Sequence, residues 1–387
     1  MNNTAVGLFC DSYAPVVDGV TTTVLNYAHW LGQTLGPATV VTPSAPGYID
    51  AEPFEVIRYL SMPTFVRPPY RIGLPHLDIR LARFLANSNF SIIHAHSPFG
   101  AGHIALETAR KRGVPIVATL HSKYRDDLRR SLPFDLLVDQ EIRHIVDFFN
   151  AVDQVWVPQK SVGSTLREYG YAGPYEVVEN GIDLEPVDDV APYRARGQAE
   201  LGLSDKELVG LYVGQHTLEK NLEFLVRSLP AVIDALPDFR MVFVGVGYAR
   251  ERLKQLVDEF GIADRVSFRG AIRDRELLKA VYARADLFLF PSFYDTSGLV
   301  VREAAAFRTP ALLLAGSDAA EAIQDDVNGF LSPNQSAAFS NRVIAILKDG
   351  ALRAFAGMEA QRTLCRSWRH VVEEVRDRYC SLIAGKP

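Results

Sequence analysis

The chain has 387 residues, more than one hydrophobic core readily serves, so two domains of similar size are expected. It is 48% hydrophobic and 22% charged, an ordinary balance that excludes bulk disorder. A net charge of −5 supplies no global positive field for nucleic acid, and the three scattered cysteines, Cys10, Cys365 and Cys380, argue against a disulfide framework or a zinc site. The first residues lack the basic start and apolar run of a signal peptide, and no stretch reaches the ~20 apolar residues of a membrane span. A cytoplasmic protein is therefore expected, with contact at the inner face of the cell membrane left open.

Short apolar runs alternate with helix-length amphipathic stretches along the whole chain, the pattern of parallel sheets covered by helices. In the first half the pattern predicts strands near 4–10, 38–43, 54–60, 91–96, 115–120, 154–158 and 175–179. Helices are predicted over about 19–35, 77–88, 100–112, 133–151 and 160–170. The polar, proline-containing stretch Asp183-Leu-Glu-Pro-Val-Asp-Asp-Val-Ala-Pro192 then reads as a linker. The alternation restarts at Leu208-Val-Gly-Leu-Tyr-Val213 and continues through 241–244, 266–268, 287–290 and 311–314. The expected division is a Rossmann-like domain over 1–185, a linker over 186–204, a second Rossmann-like domain over 205–364, and a last helix within 365–387 that packs back on the first domain. The fold class is α/β, with two doubly wound domains facing an interdomain cleft.

Ligands of open α/β sheets bind beyond the C-terminal strand ends, where loops and helix N-termini offer unpaired N–H groups. After the first strand, Gly19 allows close backbone approach, although Asp18-Gly19 also suits a plain turn with Thr21 capping a helix. After Val213 comes Gly-Gln-His-Thr-Leu-Glu-Lys220, in which Lys220 starts a helix and offers a charge to a diphosphate; a solvated lysine is the plainer reading. Gly245-Val-Gly247 looks like part of a dinucleotide fingerprint, but the third glycine position holds Arg250, so a tight turn is favoured over a nicotinamide site. The most informative loop contains Asp295-Thr-Ser-Gly-Leu-Val-Val-Arg-Glu303. There Ser297-Gly298 opens a helix suited to an anion, Glu303 is positioned to accept bonds from ribose hydroxyls, and Asp295 faces a sugar.

Together these motifs resemble the retaining family 4 glycosyltransferases, which have the two-domain GT-B architecture, and the resemblance covers nearly the whole chain. The family's acid-x7-Glu motif is matched by Asp295 through Glu303, and its Gly-Arg-Leu-x-x-Glu-Lys segment by Gly214-Gln-His-Thr-Leu-Glu-Lys220. Its Pro-Asn-Gly-Val-Asp segment is matched by Val178-Glu-Asn-Gly-Ile-Asp183. The resemblance implies that Gly19, Gly214, Gln215 and Lys220 meet the diphosphate, that Glu303 holds the ribose, and that Arg269 and Ile272 lie by the base. It implies backbone contacts from Ser297, Gly298, Leu299 and Val300, and catalytic roles for His121 and Asp295. No metal or other cofactor is implied, because positive side chains and helix N-termini stabilise the leaving diphosphate. Two departures stand out: Gln215 replaces the family's arginine, and Asp295 is one methylene shorter than the usual glutamate. His216 is a candidate to replace part of the lost charge where the diphosphate raises its pKa.

The acceptor side is read from His94-Ala-His96 and from His121-Ser-Lys-Tyr-Arg-Asp-Asp127, which is similar to a loop of bacterial diacylglycerol glucosyltransferases. His96, Lys123 and Tyr124 are the acceptor candidates. The basic residues Arg110, Lys111, Arg112, Lys123, Arg125, Arg129 and Arg130 suit anionic lipid headgroups, and equally suit a solvated helix face. The expected activity is transfer of a hexose from a nucleoside diphosphate sugar, with UDP the expected carrier, to a membrane glycerolipid. A soluble sugar or small-molecule acceptor, and a nucleotide-sugar-binding protein with weakened catalysis, are the alternatives.

Overall fold

The computed structural model describes residues 4–16, 18–64, 70–293, 295 and 298–385. The chain divides into two units, one of residues 1–181 with 368–387 and one of residues 182–367.

The first unit carries, in chain order, β1 (Ala5–Phe9), α1 (Gly19–Thr34), β2 (Ala38–Pro43), β3 (Glu55–Tyr59), β4 (Ser61–Pro63), β5 (Arg71–Gly73), α2 (Ile79–Asn87), β6 (Phe90–Ala95), α3 (Gly100–Arg112), β7 (Ile116–Thr119), α4 (Tyr124–Ser131), α5 (Asp135–Asn150), β8 (Gln154–Val157), α6 (Lys160–Glu168) and β9 (Glu176–Val177). Seven strands form a parallel sheet in the order β3-β2-β1-β6-β7-β8-β9, while β4 and β5 make a separate antiparallel pair. The neighbours of β1 are β2 on one side and β6 on the other, so the winding reverses between β1 and β6. The last helix, Trp368–Gly385, also belongs to this unit. Its buried residues Trp368, Val371, Val372, Val375 and Tyr379 repeat at helical spacing and pack with Val6, Leu8, Val24 and Tyr27 on one face of the sheet. The other face packs on α3 and α5 through Ile104, Ala105, Ile142, Ile145 and Phe149.

The second unit carries α7 (Ala191–Leu201), β10 (Leu208–Val213), α8 (Leu222–Ala235), β11 (Phe239–Val244), α9 (Arg250–Glu259), β12 (Val266–Arg269), α10 (Arg275–Arg284), β13 (Leu287–Phe290), α11 (Leu299–Ala306), β14 (Ala311–Leu314), β15 (Phe330–Ser332), α12 (Ser336–Lys348) and α13 (Gly350–Leu364). Its sheet runs β12-β11-β10-β13-β14-β15, all parallel, with the reversal between β10 and β13. The inner strands β11, β10, β13 and β14 are near-continuous apolar runs because both faces are covered.

Residues 186–204, read above as a linker, hold α7 and are bound into this second unit. Arg194 donates to Asp286 at 2.9 Å and to the carbonyls of Ala283 and Arg284. The wholly buried Arg284 in turn donates to Asp286 and to the carbonyls of Ser204 and Glu207. Pro192 in the first turn and a left-handed Gly202 at the C-cap are ordinary signals for such a helix.

Candidate active site

In the second unit the two loops that flank the reversal, after β10 and after β13, meet. Lys220 Nζ donates to Asp295 Oδ1 at 2.5 Å, and Asn221 Nδ2 donates to the Pro291 carbonyl at 3.2 Å. Both charged side chains are largely sheltered, at 14% and 24% exposure, so the attraction is screened little. The second carboxylate oxygen, Asp295 Oδ2, is buried and has no partner among the described residues. An unmade hydrogen bond of that kind is costly, which marks the atom as an acceptor suited to a hydroxyl or N–H from a ligand.

Beside it α11 begins at Gly298, whose left-handed φ of 53° turns the chain from loop to helix. A side chain there would be strained and would press on Ala319 Cβ at 2.9 Å. The N–H groups of Val301 and Arg302 return to the Gly298 carbonyl, whereas those of Leu299 and Val300 have no partner within the helix and suit an anion. Further along α11, Glu303 accepts from the Tyr282 hydroxyl at 2.9 Å. Burial raises its carboxyl above the usual range, with the Tyr282 bond and nearby Arg275 pulling the other way and Asp183 adding to the rise.

The strand-end loops of β10, β11 and β12 are stitched backbone to backbone. Gly214 N–H donates to Val244, His216 N–H to Val246, and Gly245 N–H to Gly270. This explains the glycines of Gly245-Val-Gly247 without a dinucleotide: a Cβ on Gly247 would fall 2.2 Å from the His216 carbonyl oxygen. Arg250 donates to the Phe268 carbonyl at 3.1 Å. His216 is wholly buried, edge-on to Phe243 and Phe268. Burial, with Arg250 nearby, lowers its pKa to about 4, the Val244 carbonyl offsetting this in part. The ring is therefore neutral at pH 7, and a charge on it would have to be induced by a bound diphosphate; Gln215 is an exposed residue whose carbonyl accepts from Tyr212.

In the first unit the loops after β1 and β6 also meet. Asp11, the second residue past β1, accepts from Ser97 Oγ at 2.6 Å and from the Ala101 N–H at the start of α3. Burial raises its carboxyl, and these bonds with that of Tyr59 hold it down. Asp18 caps α1 by accepting from the Thr21 N–H at 2.8 Å, and also accepts from Ser12 and Tyr70; Gly19 follows as the first helical residue. At the ends of β6 and β7 stands a column of imidazoles. His94 is bonded to Tyr379 and Thr119, His94 and His96 stack at 4.0 Å between centroids, and His96 Nδ1 lies 3.0 Å from His121 Nε2. Burial lowers His121 to about 4, Asp18 opposing, and puts His94 and His96 well below the ordinary imidazole range. All three are neutral at physiological pH.

Two family profiles cover most of the chain. The one described as Glycosyltransferase Family 4 matches residues 17–186, and the one described as Glycosyl transferases group 1 matches residues 194–363. The chain is a family 4 glycosyltransferase. Among relatives of this glycosyltransferase, an alpha-monoglucosyldiacylglycerol synthase of Acholeplasma laidlawii is 25% identical over 345 residues, 85% of each chain. One of Streptococcus pneumoniae is 25% identical over 311 residues, 79% of this chain and 70% of that one. Among solved structures, sucrose-phosphate synthase from Thermosynechococcus elongatus superposes with a TM-score of 0.78 at 22% identity, covering 99% of this chain and 100% of that one. Anabaena Alr3699/HepE in complex with UDP and glucose gives 0.78 at 18%, covering 98% and 99%. The GT-B fold class expected from the sequence is thereby shown.

The glycosyltransferase gathers Gly214, Gln215, Lys220, Asp295 and Gly298 on the loops at the β10/β13 reversal, with Leu299, Val300 and Glu303 on α11 beside them. Ser297 lies outside the described residues. Arg269 ends β12 with its guanidinium on the Leu201 carbonyl, and Ile272 follows, half-buried against the core. His121 and Asp295 fall in different units. Tyr124 is buried edge-on to Phe99 with Lys123 before it at the start of α4, while His96 is wholly buried and backs His121 instead of presenting an open edge. Asp11, Asn221 and Tyr282 went unread in the sequence. An acid directly after the first strand was a usable signal for Asp11; nothing local marks the other two. Among the described residues no group of three His, Cys, Asp or Glu side chains is arranged to hold a metal.

Proposed function

We propose that this glycosyltransferase moves a hexose, with retention at the anomeric carbon, from a UDP-sugar to a glycerolipid acceptor. The observation that carries the reading is the β10/β13 reversal, where a cation, bare helix N–H groups, a carboxylate oxygen without a partner among the described residues and a half-buried glutamate stand together. Lys220 and the α11 N-terminus take the diphosphate, Glu303 the ribose hydroxyls, and Asp295 Oδ2 a sugar hydroxyl. Diphosphate binding draws Lys220 from Asp295 and frees Oδ1 for the sugar as well. Support for UDP comes from the neighbour crystallised with UDP and glucose, and support for the lipid from the two diacylglycerol synthases.

In this scheme the bond from the anomeric carbon to the diphosphate oxygen breaks on the face where the acceptor oxygen bonds. The acceptor's proton passes to the departing phosphate oxygen, so no covalent enzyme intermediate is needed. His121 takes the catalytic role that the resemblance implies; neutral and backed by His96, it adds no charge. Neither a metal nor another cofactor enters; Lys220 and the helix terminus supply the stabilising charge.

The test is a thermal-shift screen of nucleotide sugars followed by transfer assays with diacylglycerol and with soluble sugars. A UDP-sugar at about 100 times its Kd stabilises a folded protein by about 2.7 kcal/mol, a shift of a few degrees. If no nucleotide sugar shifts Tm at saturation, the donor assignment fails. If transfer occurs only to soluble sugars, the lipid assignment fails alone.

A further inference from the structure

Beside the first unit's acceptor-side loops lies an apolar surface with a basic rim. Met62 of β4 and Ile72 of β5 are directly paired across the antiparallel ladder, so both project from one face, and both are about half exposed. Leu60 precedes Met62 on the same face at 44% exposure. Its carbonyl accepts from the Leu74 N–H and its N–H donates to Asp78 Oδ2 at 2.9 Å. Asp78 also caps α2, so its buried carboxylate ties the pair to the segment that exposes Leu77 and Ile79, each at 69%. Single exposed apolar residues are ordinary; five held together by this hydrogen-bonded frame are not.

The rim has one sign. Between residues 70 and 87 the chain has Arg71, Arg80 and Arg83 against Asp78 alone, in a protein of net charge −5. Asp78 is turned inward with its Oδ1 3.7 Å from Arg80 Nε, yet the Arg80 side chain stays 86% exposed and Arg83 is exposed beside it. A protein partner's surface ordinarily mixes both signs, whereas anionic headgroups over hydrocarbon match apolar side chains with a cationic rim. No helix among the described residues is long and apolar enough to cross a membrane, so the contact would be interfacial. The surface is continuous with the acceptor side: the Tyr70 hydroxyl donates to Asp18 Oδ2, and the Gly73 carbonyl lies against Gly100 at the start of α3.

The basic segment 110–130 is less suited, because Asp126 and Asp127 stand among its cations and several of those cations are engaged. Arg112 donates to the carbonyls of Leu85 and Ala86, Arg125 to Asp139 at 2.5 Å, while Arg129 and Arg130 lie 3.5 and 3.9 Å from Asp135 and Asp127. We propose that Leu60, Met62, Ile72, Leu77 and Ile79, rimmed by Arg80 and Arg83, form the surface by which the enzyme docks on an anionic bilayer. The proposal rests on the glycerolipid reading for its reason to meet a bilayer, and on the patch alone for its place.

The full-length protein is sedimented with vesicles of phosphatidylcholine alone or enriched in phosphatidylglycerol, and sugar transfer to diacylglycerol in detergent micelles is measured in parallel. Wild type is expected to bind the anionic vesicles preferentially. L77S/I79S is expected to weaken partitioning by about tenfold, and R80E/R83E to weaken it similarly at low salt but little at high salt. R129E/R130E should bind like wild type, and all variants should keep the wild-type Tm. Absence of wild-type binding, or loss of binding in R129E/R130E with retention in L77S/I79S, overturns the docking surface even if micellar transfer persists. Vesicle binding that depends on Leu77 and Ile79 without lipid transfer upholds the surface and removes the glycerolipid reading instead.

Discussion

The two sheets reverse their winding at equivalent places, yet the side chains placed there differ in kind. In the second unit the loops after β10 and β13 are joined by a charged pair, Lys220 and Asp295, beside a helix start and the half-buried carboxylate of Glu303. In the first unit the loops after β1 and β6 are joined by Asp11 with its hydrogen bonds made, next to three neutral imidazoles in a column. Shared topology sets where a ligand is met, because strand ends and helix N-termini converge at the reversal. Side-chain chemistry sets what is met: a charged pair with unbalanced polarity in the second unit, and imidazoles beside a carboxylate whose bonds are made in the first.

Removing the charge from the second unit should break that contrast most sharply. Lys220→Ala is expected to lower kcat/KM by about 10²–10³-fold and abolish the UDP-sugar Tm shift, since a positioned charge on a developing phosphate is worth about 3–4 kcal/mol. Lys220→Arg should recover part of it. An Ala variant with full donor binding and rate would show the pair to be structural only.

Next in size are two effects on stability, one in each unit. Gly247→Ala sets a Cβ against the His216 backbone, and should cost about 1–3 kcal/mol in urea unfolding while His96→Ala leaves the second unit's transition in place. The imidazole column makes the first unit acid-sensitive. His121 has a folded pKa of about 4 against 6.5 when unfolded, so its contribution is full above 6.5 and is lost as pH falls toward 4, on the order of 1–3 kcal/mol. Tm measured across that window should fall, and the His121→Gln variant should flatten the fall. An equal slope in both proteins would assign the acid sensitivity elsewhere.

The smallest effect concerns the departure at Gln215. Restoring an arginine adds one exposed charge at the diphosphate side, and donor KM should fall by about two- to fivefold with kcat little changed. A larger gain would mean that Gln215 had limited an otherwise complete site.

Much of this was legible in residue order. Continuous apolar runs such as Leu287-Phe-Leu-Phe290, spaced by amphipathic stretches, specify buried parallel strands and covering helices, since backbone periodicity and burial are local properties. The loops that carry the site were legible for the same reason: a ligand position follows from strand ends, and Asp295 through Glu303 stands at one. The β4–β5 pair escaped because three-residue strands leave almost no periodic signal, and α7 because its polar sequence hides a helix held by Arg194 and Arg284 to residues some 80–90 positions away.

The tertiary structure alone decided which side chains meet. Lys220 reaches Asp295 across 75 residues, and Tyr379 reaches His94 across 285. It also decided their charge states: burial makes His216 a neutral packing ring and leaves Asp295 Oδ2 without a donor among the described residues, because desolvation depends on what encloses a group and not on its neighbours in the chain. Residue types and spacing located the chemistry; folding determined which of those groups are paired, which are buried, and which remain open to a ligand.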